Sequence, residues 1–241
     1  LAPNGQLLLS NADYAVSVIN DKDDPSSSYL VLDILNRRAL QERNINKERR
    51  LMMLFAIHSK SILPLVGGYV QNDIYKAVFK NESDLLLKNV VDNESHVLNN
   101  PATLTKIAFY TAVGMNNLYE NTILHGNLSL SSVLIKQNGE LVEPFLFGFG
   151  FSIPNRLAFE PPEFFSDGIY TLKSDVYQYG LFLWELGRQE TVYDGIRPNQ
   201  LPGIVLDESK RPPLDDAHFS SSMQKLISEC LSSDPELRPL F

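Results

Sequence analysis

"SDVYQYGLFLWEL", residues 174–186, decides how the rest of the chain is read. Tyr179, Leu183 and Trp184 recur at helical spacing, which predicts a helix with these side chains in the core rather than forming a binding platform. Asp175 is suited to capping such a helix at its N-terminus. The helical pattern continues to "SSSMQKLISECLSSDPELRPLF" (220–241). Upstream, "ATLTKIAFYTAVGMNNLYEN" (102–121) is predicted to be a long helix. "VLIKQNGELVEPFLFGFGF" (133–151) is predicted to be a hairpin turning at Asn138-Gly139.

The first third has a different character. "YAVSVI" (14–19) and "SYLVLDIL" (28–35) are rich in β-branched and aromatic residues and flank a polar turn. "ILPLVGGYV" (62–70) and "DIYKAVFK" (73–80) predict two more strands around "QND". Between the pairs, "QERNINKERRLMMLFAI" (41–57) predicts one helix. A sheet carrying one helix, followed by a helix-rich remainder, implies two lobes with a cleft between them.

Bulk properties exclude several classes. The chain has 241 residues, 44% of them hydrophobic, and a net charge of −8. That acidity argues against nucleic acid or an anionic membrane as partner. No stretch reaches the ~18 apolar residues of a membrane span. The single cysteine, Cys230, excludes an internal disulfide framework and suits a reducing compartment, so a cytoplasmic location is expected. With Leu1 first and Phe241 directly after "LRPL", the chain is expected to be a piece truncated at both ends.

Four short words in fixed order carry a resemblance. Residues 174–186 resemble the S-D-V-W-S-F-G-x-x-L-W-E helix of protein kinases. "FEPPEFF" (159–165) is similar to the A-P-E motif, with Pro161, Pro162 and Glu163 in its three places. "CLSSDPELRPLF" (230–241) resembles C-x-x-x-D-P-x-x-R-P-x-F, and "HSKSILPLVGGY" (58–69) resembles H-P-N-I-L-x-L-x-G. The idiom is that of the tyrosine-kinase-like group. The resemblance implies a bilobal α+β kinase-like fold, with a small antiparallel β-sheet lobe carrying one helix (1–79) and a larger, mainly α-helical lobe (80–241).

It also implies where the chemistry should be. The family writes its catalytic loop H-R-D-L-x-x-x-N, the Asp serving as base and the Asn holding magnesium. "HGNLSLSS" puts His125, Gly126, Asn127, Leu128 and Ser132 in those places. Asn accepts hydrogen bonds but has no usable basicity near neutral pH. Matching Phe149 and Gly150 to the family's D-F-G puts Gly148 in the place of the magnesium-binding Asp, 148 − 127 = 21 positions after Asn127. Glycine supplies no side-chain oxygen for a hard cation. "YLVLDILN" resembles the V-A-x-K strand and puts Asp33 where the phosphate-binding Lys is expected. Its helix partner falls at Glu48 or Arg49, the latter allowing a swapped bridge with Asp33. No glycine-rich loop is present, since no glycine lies between Gly5 and Gly67; "SNADYAV" (10–16) is its remnant.

The resemblance therefore implies a degenerate member, a pseudokinase, with ATP and magnesium binding weak or absent. What it keeps is structural. Asp175 matches an acceptor for the catalytic-loop backbone, Glu163 and Arg238 match a buried ion pair, and His125 is expected as a packed core histidine. One of Phe145, Phe147, Phe149 and Phe151 either fills the vacated nucleotide pocket or packs ordinarily. Ser152 is the only hydroxyl between Gly148 and Glu163, so a phosphorylation switch there is not expected. Three functions stay open: an interaction domain for a protein partner such as an active kinase, an enzyme with relocated residues, and a metal-independent nucleotide sensor.

Overall fold

The computed structural model describes residues 5–10, 14–24, 26–35, 59–82, 85–93, 98–138, 141–148, 157–215 and 217–241. Elements are numbered among these. Strands β1 (Gln6–Ser10), β2 (Tyr14–Asn20), β3 (Ser28–Ile34), β4 (Leu65–Gln71) and β5 (Ile74–Lys80) form an antiparallel sheet in the order β1-β2-β3-β5-β4. The β4–β5 hairpin closes through Asn72 and Asp73, both at positive φ (51° and 60°). This is the turn whose twist matches the strands it joins, and Asn and Asp tolerate it best after Gly. The helix expected over 41–57, with Glu48 and Arg49, lies outside the described residues.

The second part is helical around a small sheet. Helices α1 (Leu87–Asn93), α2 (Pro101–Glu120), α3 (Pro162–Asp167), α4 (Leu172–Arg188), α5 (Leu201–Val205) and α6 (Ser221–Cys230) accompany β6 (Leu85–Leu86), β7 (Val133–Asn138) and β8 (Leu141–Leu146). β7 and β8 pair from Val133–Leu146 to Asn138–Leu141, the hairpin expected at Asn138. β6 adds a third strand that sequence reading passed over, because two residues carry no periodicity.

α4 runs through the middle of this part. Thr171 caps it in a reciprocal box with Ser174, and every residue from Ser174 to Leu186 is buried. Enclosure on all sides makes most of the opening stretch apolar, and its buried polar members Ser174, Asp175, Gln178 and Glu185 each hold a hydrogen bond. Gly180 lets α6 approach closely: a Cβ there would meet Cys230 Cβ at 2.8 Å. Tyr179 and Trp184 are core, as expected, with their polar tips satisfied by the Ala108 and Pro213 carbonyls at 3.0 and 2.9 Å. One apolar cluster is continuous from Val16 and Leu30 of the first sheet through Phe147 and Leu134 to Leu231. No described helix is long and apolar enough to cross a membrane.

Candidate functional site

The loop 123–132 is held from behind by α4. Asp175 accepts the backbone N–H of His125 at 2.7 Å and of Gly126 at 2.8 Å, and the Tyr170 hydroxyl at 3.0 Å. Gln178, one turn later, accepts the N–H of Leu128 at 2.9 Å. The cap of α4 is Thr171, so Asp175 is left to the loop rather than to its own helix end. His125 is fully buried, and burial pushes its imidazole down to about 3, against hydrogen bonds to backbone at Phe147 and at His125 itself. It stays neutral at physiological pH, with Nδ1 accepting the N–H of Asn127 at 3.2 Å.

Ser132 is turned inward. Its hydroxyl donates to the Ser129 carbonyl at 2.8 Å and accepts the Ser129 N–H at 3.0 Å, and it is 3% exposed. Its own carbonyl accepts the N–H of Phe147 at 3.0 Å, which ties the loop to the chain just before Gly148. Gly148 has φ +75°, a region open to glycine. The nearest atom to a Cβ built there is Leu32 Cδ2 at 3.9 Å. Phe147 is buried with its ring edge-on to Phe79, centroids 6.3 Å apart.

Strand parity corrects one expectation. On β3, Leu30 and Leu32 face the shared core and oppose Phe79 and Ala77 of β5, whereas Asp33 opposes Lys76. Successive side chains of a strand point to opposite faces, so Asp33 stands on the far face from Leu32 and Gly148. There it forms an ion pair with Lys76, the two side chains 21% and 16% exposed. It does not confront a triphosphate with an unpaired charge. The β3 side chain beside Gly148 is Leu32, which offers neither a cation nor an anion.

The other retained pair is enclosed. Both terminal guanidinium nitrogens of Arg238 donate to Glu163, at 2.8 Å (Oε1) and 2.7 Å (Oε2), with side-chain exposures of 0% and 10%. Arg238 also donates to the Lys173 and Ser232 carbonyls, each at 2.9 Å, and lies 5.1 Å from the centroid of the Tyr177 ring. The Ser174 hydroxyl donates to Glu163 Oε1 at 2.7 Å. Burial would raise the Glu163 carboxyl, but the Arg238 hydrogen bonds and charge, with Ser174, outweigh it and hold the group below its ordinary value.

Residues 151–241 match the family model described as protein tyrosine and serine/threonine kinase. A seven transmembrane domain-containing tyrosine-protein kinase of Dictyostelium discoideum is 25% identical over 230 residues, 88% of this chain and 33% of that protein. A probable inactive serine/threonine-protein kinase of the same organism is 24% identical over 86% of this chain and 20% of its own length. Along most of its length the chain is similar to protein kinases. A serine/threonine/tyrosine-protein kinase of Arabidopsis thaliana is likewise 24% identical, over 85% of this chain and 54% of its own. The chain thus spans a third or less of the Dictyostelium relatives, and most relatives are named as kinases, several of them as probable ones.

In kinase terms, the structure brings together His125, Asn127 and Ser132 with Asp175 on one side and Gly148 on the other, and separately joins Glu163 of α3, next to Pro162, to Arg238. Phe149, Gly150, Phe151 and Ser152 lie outside the described residues, as do Glu48 and Arg49. At the two magnesium positions stand the Ser132 hydroxyl, already engaged in its own loop, and Gly148, which has no side-chain donor, while the base position holds the Asn127 amide. These residues do not fit a divalent cation that prefers carboxylates. Among the described residues, no group of three His, Cys, Asp or Glu could hold a metal elsewhere. Sequence reasoning missed Leu32, Lys76 and Gln178. Helical spacing could have shown that Gln178 sits one turn after Asp175 on the loop-facing side, whereas the other two need the pairing of β3 with β5.

Proposed function

We propose that this kinase-like domain is catalytically inactive and acts as a protein-interaction or allosteric module in signalling. One observation carries the reading: the side chain meeting Gly148 is Leu32, and the hydroxyl of Ser132 is spent within its own loop. Phosphoryl transfer depends on positioned charge, from a lysine, metal-holding groups and a base, and each of these places now holds a neutral group. The parts retained instead fix backbone and helices. A scaffold kept without its chemistry supports a role in presenting surfaces to a protein partner, with an active kinase the leading candidate.

The test is thermal melting with ATP, with and without magnesium. The expected outcome is no magnesium-dependent shift, while a magnesium-dependent rise of several degrees would contradict the reading. The names of most relatives favour a second reading, a working kinase. Transfer of radiolabelled phosphate by the purified chain, lost on Asn127→Ala, would establish that reading.

A further inference from the structure

Residues of β7, β8 and α2 line a cavity of about 440 Å³ that neither the catalytic loop nor the helix anchors use. Three lysines reach it from separate elements: Lys60 ahead of β4, Lys106 from α2 and Lys136 from β7. Tyr110, one helical turn after Lys106, joins them, and Pro144 and Phe145 supply an apolar floor. Two carboxylates also line it. Glu82 is engaged by Lys136 at 3.3 Å and by Lys80 at 3.8 Å, and Glu143 sits opposite Lys136 in the β7–β8 register. Lys60 and Lys106 have no carboxylate within ion-pair distance among the described residues.

The chain is acidic overall, at −8, yet this concavity gathers more cations than anions and leaves two of them unmatched. Cations lining a concave wall focus potential on whatever enters. An ammonium binds phosphate as a point charge with three donors, and two free ones from different elements can grip one phosphate from two directions. The volume falls in the range of small-molecule sites, where an apolar floor with a few polar groups is the usual lining. Tyr110 and Phe145 are the aromatic part of that lining.

We propose that this cavity binds a phosphate monoester carried on a flat ring, with Lys60 and Lys106 holding the phosphate and Tyr110 and Phe145 receiving the ring. The chemistry is shared by a nucleoside monophosphate and by an aryl phosphate such as a phosphorylated tyrosine side chain. The site is independent of the kinase cleft and of whether that cleft is inactive.

Titration calorimetry of the intact chain with AMP, phenyl phosphate and inorganic phosphate, at low and at physiological salt, tests it. Saturable binding of AMP or phenyl phosphate is expected, tighter than inorganic phosphate and weakened by salt. The tighter of the two organic probes identifies the source. Lys60→Glu/Lys106→Glu should weaken it by about tenfold or more, and Glu82→Gln, which frees Lys136, should tighten it about threefold. Lys60→Gln/Lys106→Gln keeps much of each aliphatic stem and serves if the charge reversals disturb folding. No saturable binding, binding undiminished in both double variants, or inorganic phosphate binding as tightly as the ring-bearing probes would overturn the proposal. Magnesium separates it from the cleft: it should weaken binding to lysines by neutralising phosphate, whereas binding in the kinase manner strengthens with it.

Discussion

The back and the front of one loop have fared differently. Behind residues 123–132, Asp175 and Gln178 hold three backbone N–H groups, and one residue earlier in α4 the Ser174 hydroxyl reaches the Glu163–Arg238 pair. In front, the positions that carry the chemistry in the family hold Asn127, Ser132 and Gly148, and the β3 side chain beside Gly148 is Leu32. The contrast separates two demands that an active kinase satisfies together. A buried backbone amide needs an acceptor whatever the protein does, so that requirement outlasts the chemistry. A cation or carboxylate facing a cleft is needed only while there is a substrate to stabilise.

If that division is right, substitutions at the back should cost stability and those in front should cost little. The largest effect is expected at the enclosed pair. Glu163→Ala leaves Arg238 buried without its counter-charge and should lose about 3–5 kcal/mol in urea unfolding. The pair also gives a pH signature. Because the folded Glu163 carboxyl is held below its ordinary value, its contribution is complete above the unfolded pKa of about 4.3 and is lost as pH falls through the lower folded value. Glu163→Gln should therefore flatten the acid limb of stability against pH, measured by denaturation between neutral pH and about pH 3.

Asp175→Ala comes next. It strands the His125 and Gly126 amides in a buried place and should cost about 2–3 kcal/mol, with faster hydrogen exchange confined to 124–128. Ser132→Ala removes only a local cap and should cost about 1 kcal/mol by the same unfolding measurement. Asp33→Asn is expected to be smallest, under about 1 kcal/mol, since the Lys76 pair is partly open to solvent. An Asp33→Asn loss larger than that of Asp175→Ala would break the comparison.

The helices were legible because burial writes itself into them. α4 is enclosed from Ser174 to Leu186 and carries apolar side chains at helical spacing, and α2 opens with Asn100 capping at Pro101. The loop anchor and the Glu163–Arg238 pair, 75 residues apart, were readable only because short words matched a family. The facing of β3 was not. A slip of one residue in matching "YLVLDILN" moves every side chain to the other face, and that step separates Asp33 from Leu32. The Asp33–Lys76 partnership spans 43 residues and follows from sheet order, which local patterns do not encode. The lysine-lined cavity escaped for the same reason, since Lys60, Lys106 and Lys136 meet only once three elements are packed.

The central claim is tested most directly by titrating ATP into the Lys60→Glu/Lys106→Glu chain, once with magnesium and once with EDTA. The variant silences the lysine-lined cavity, so any heat reports on the cleft beside Leu32 and Gly148. The account predicts no saturable heat under either condition. Saturable binding that strengthens with magnesium would contradict it.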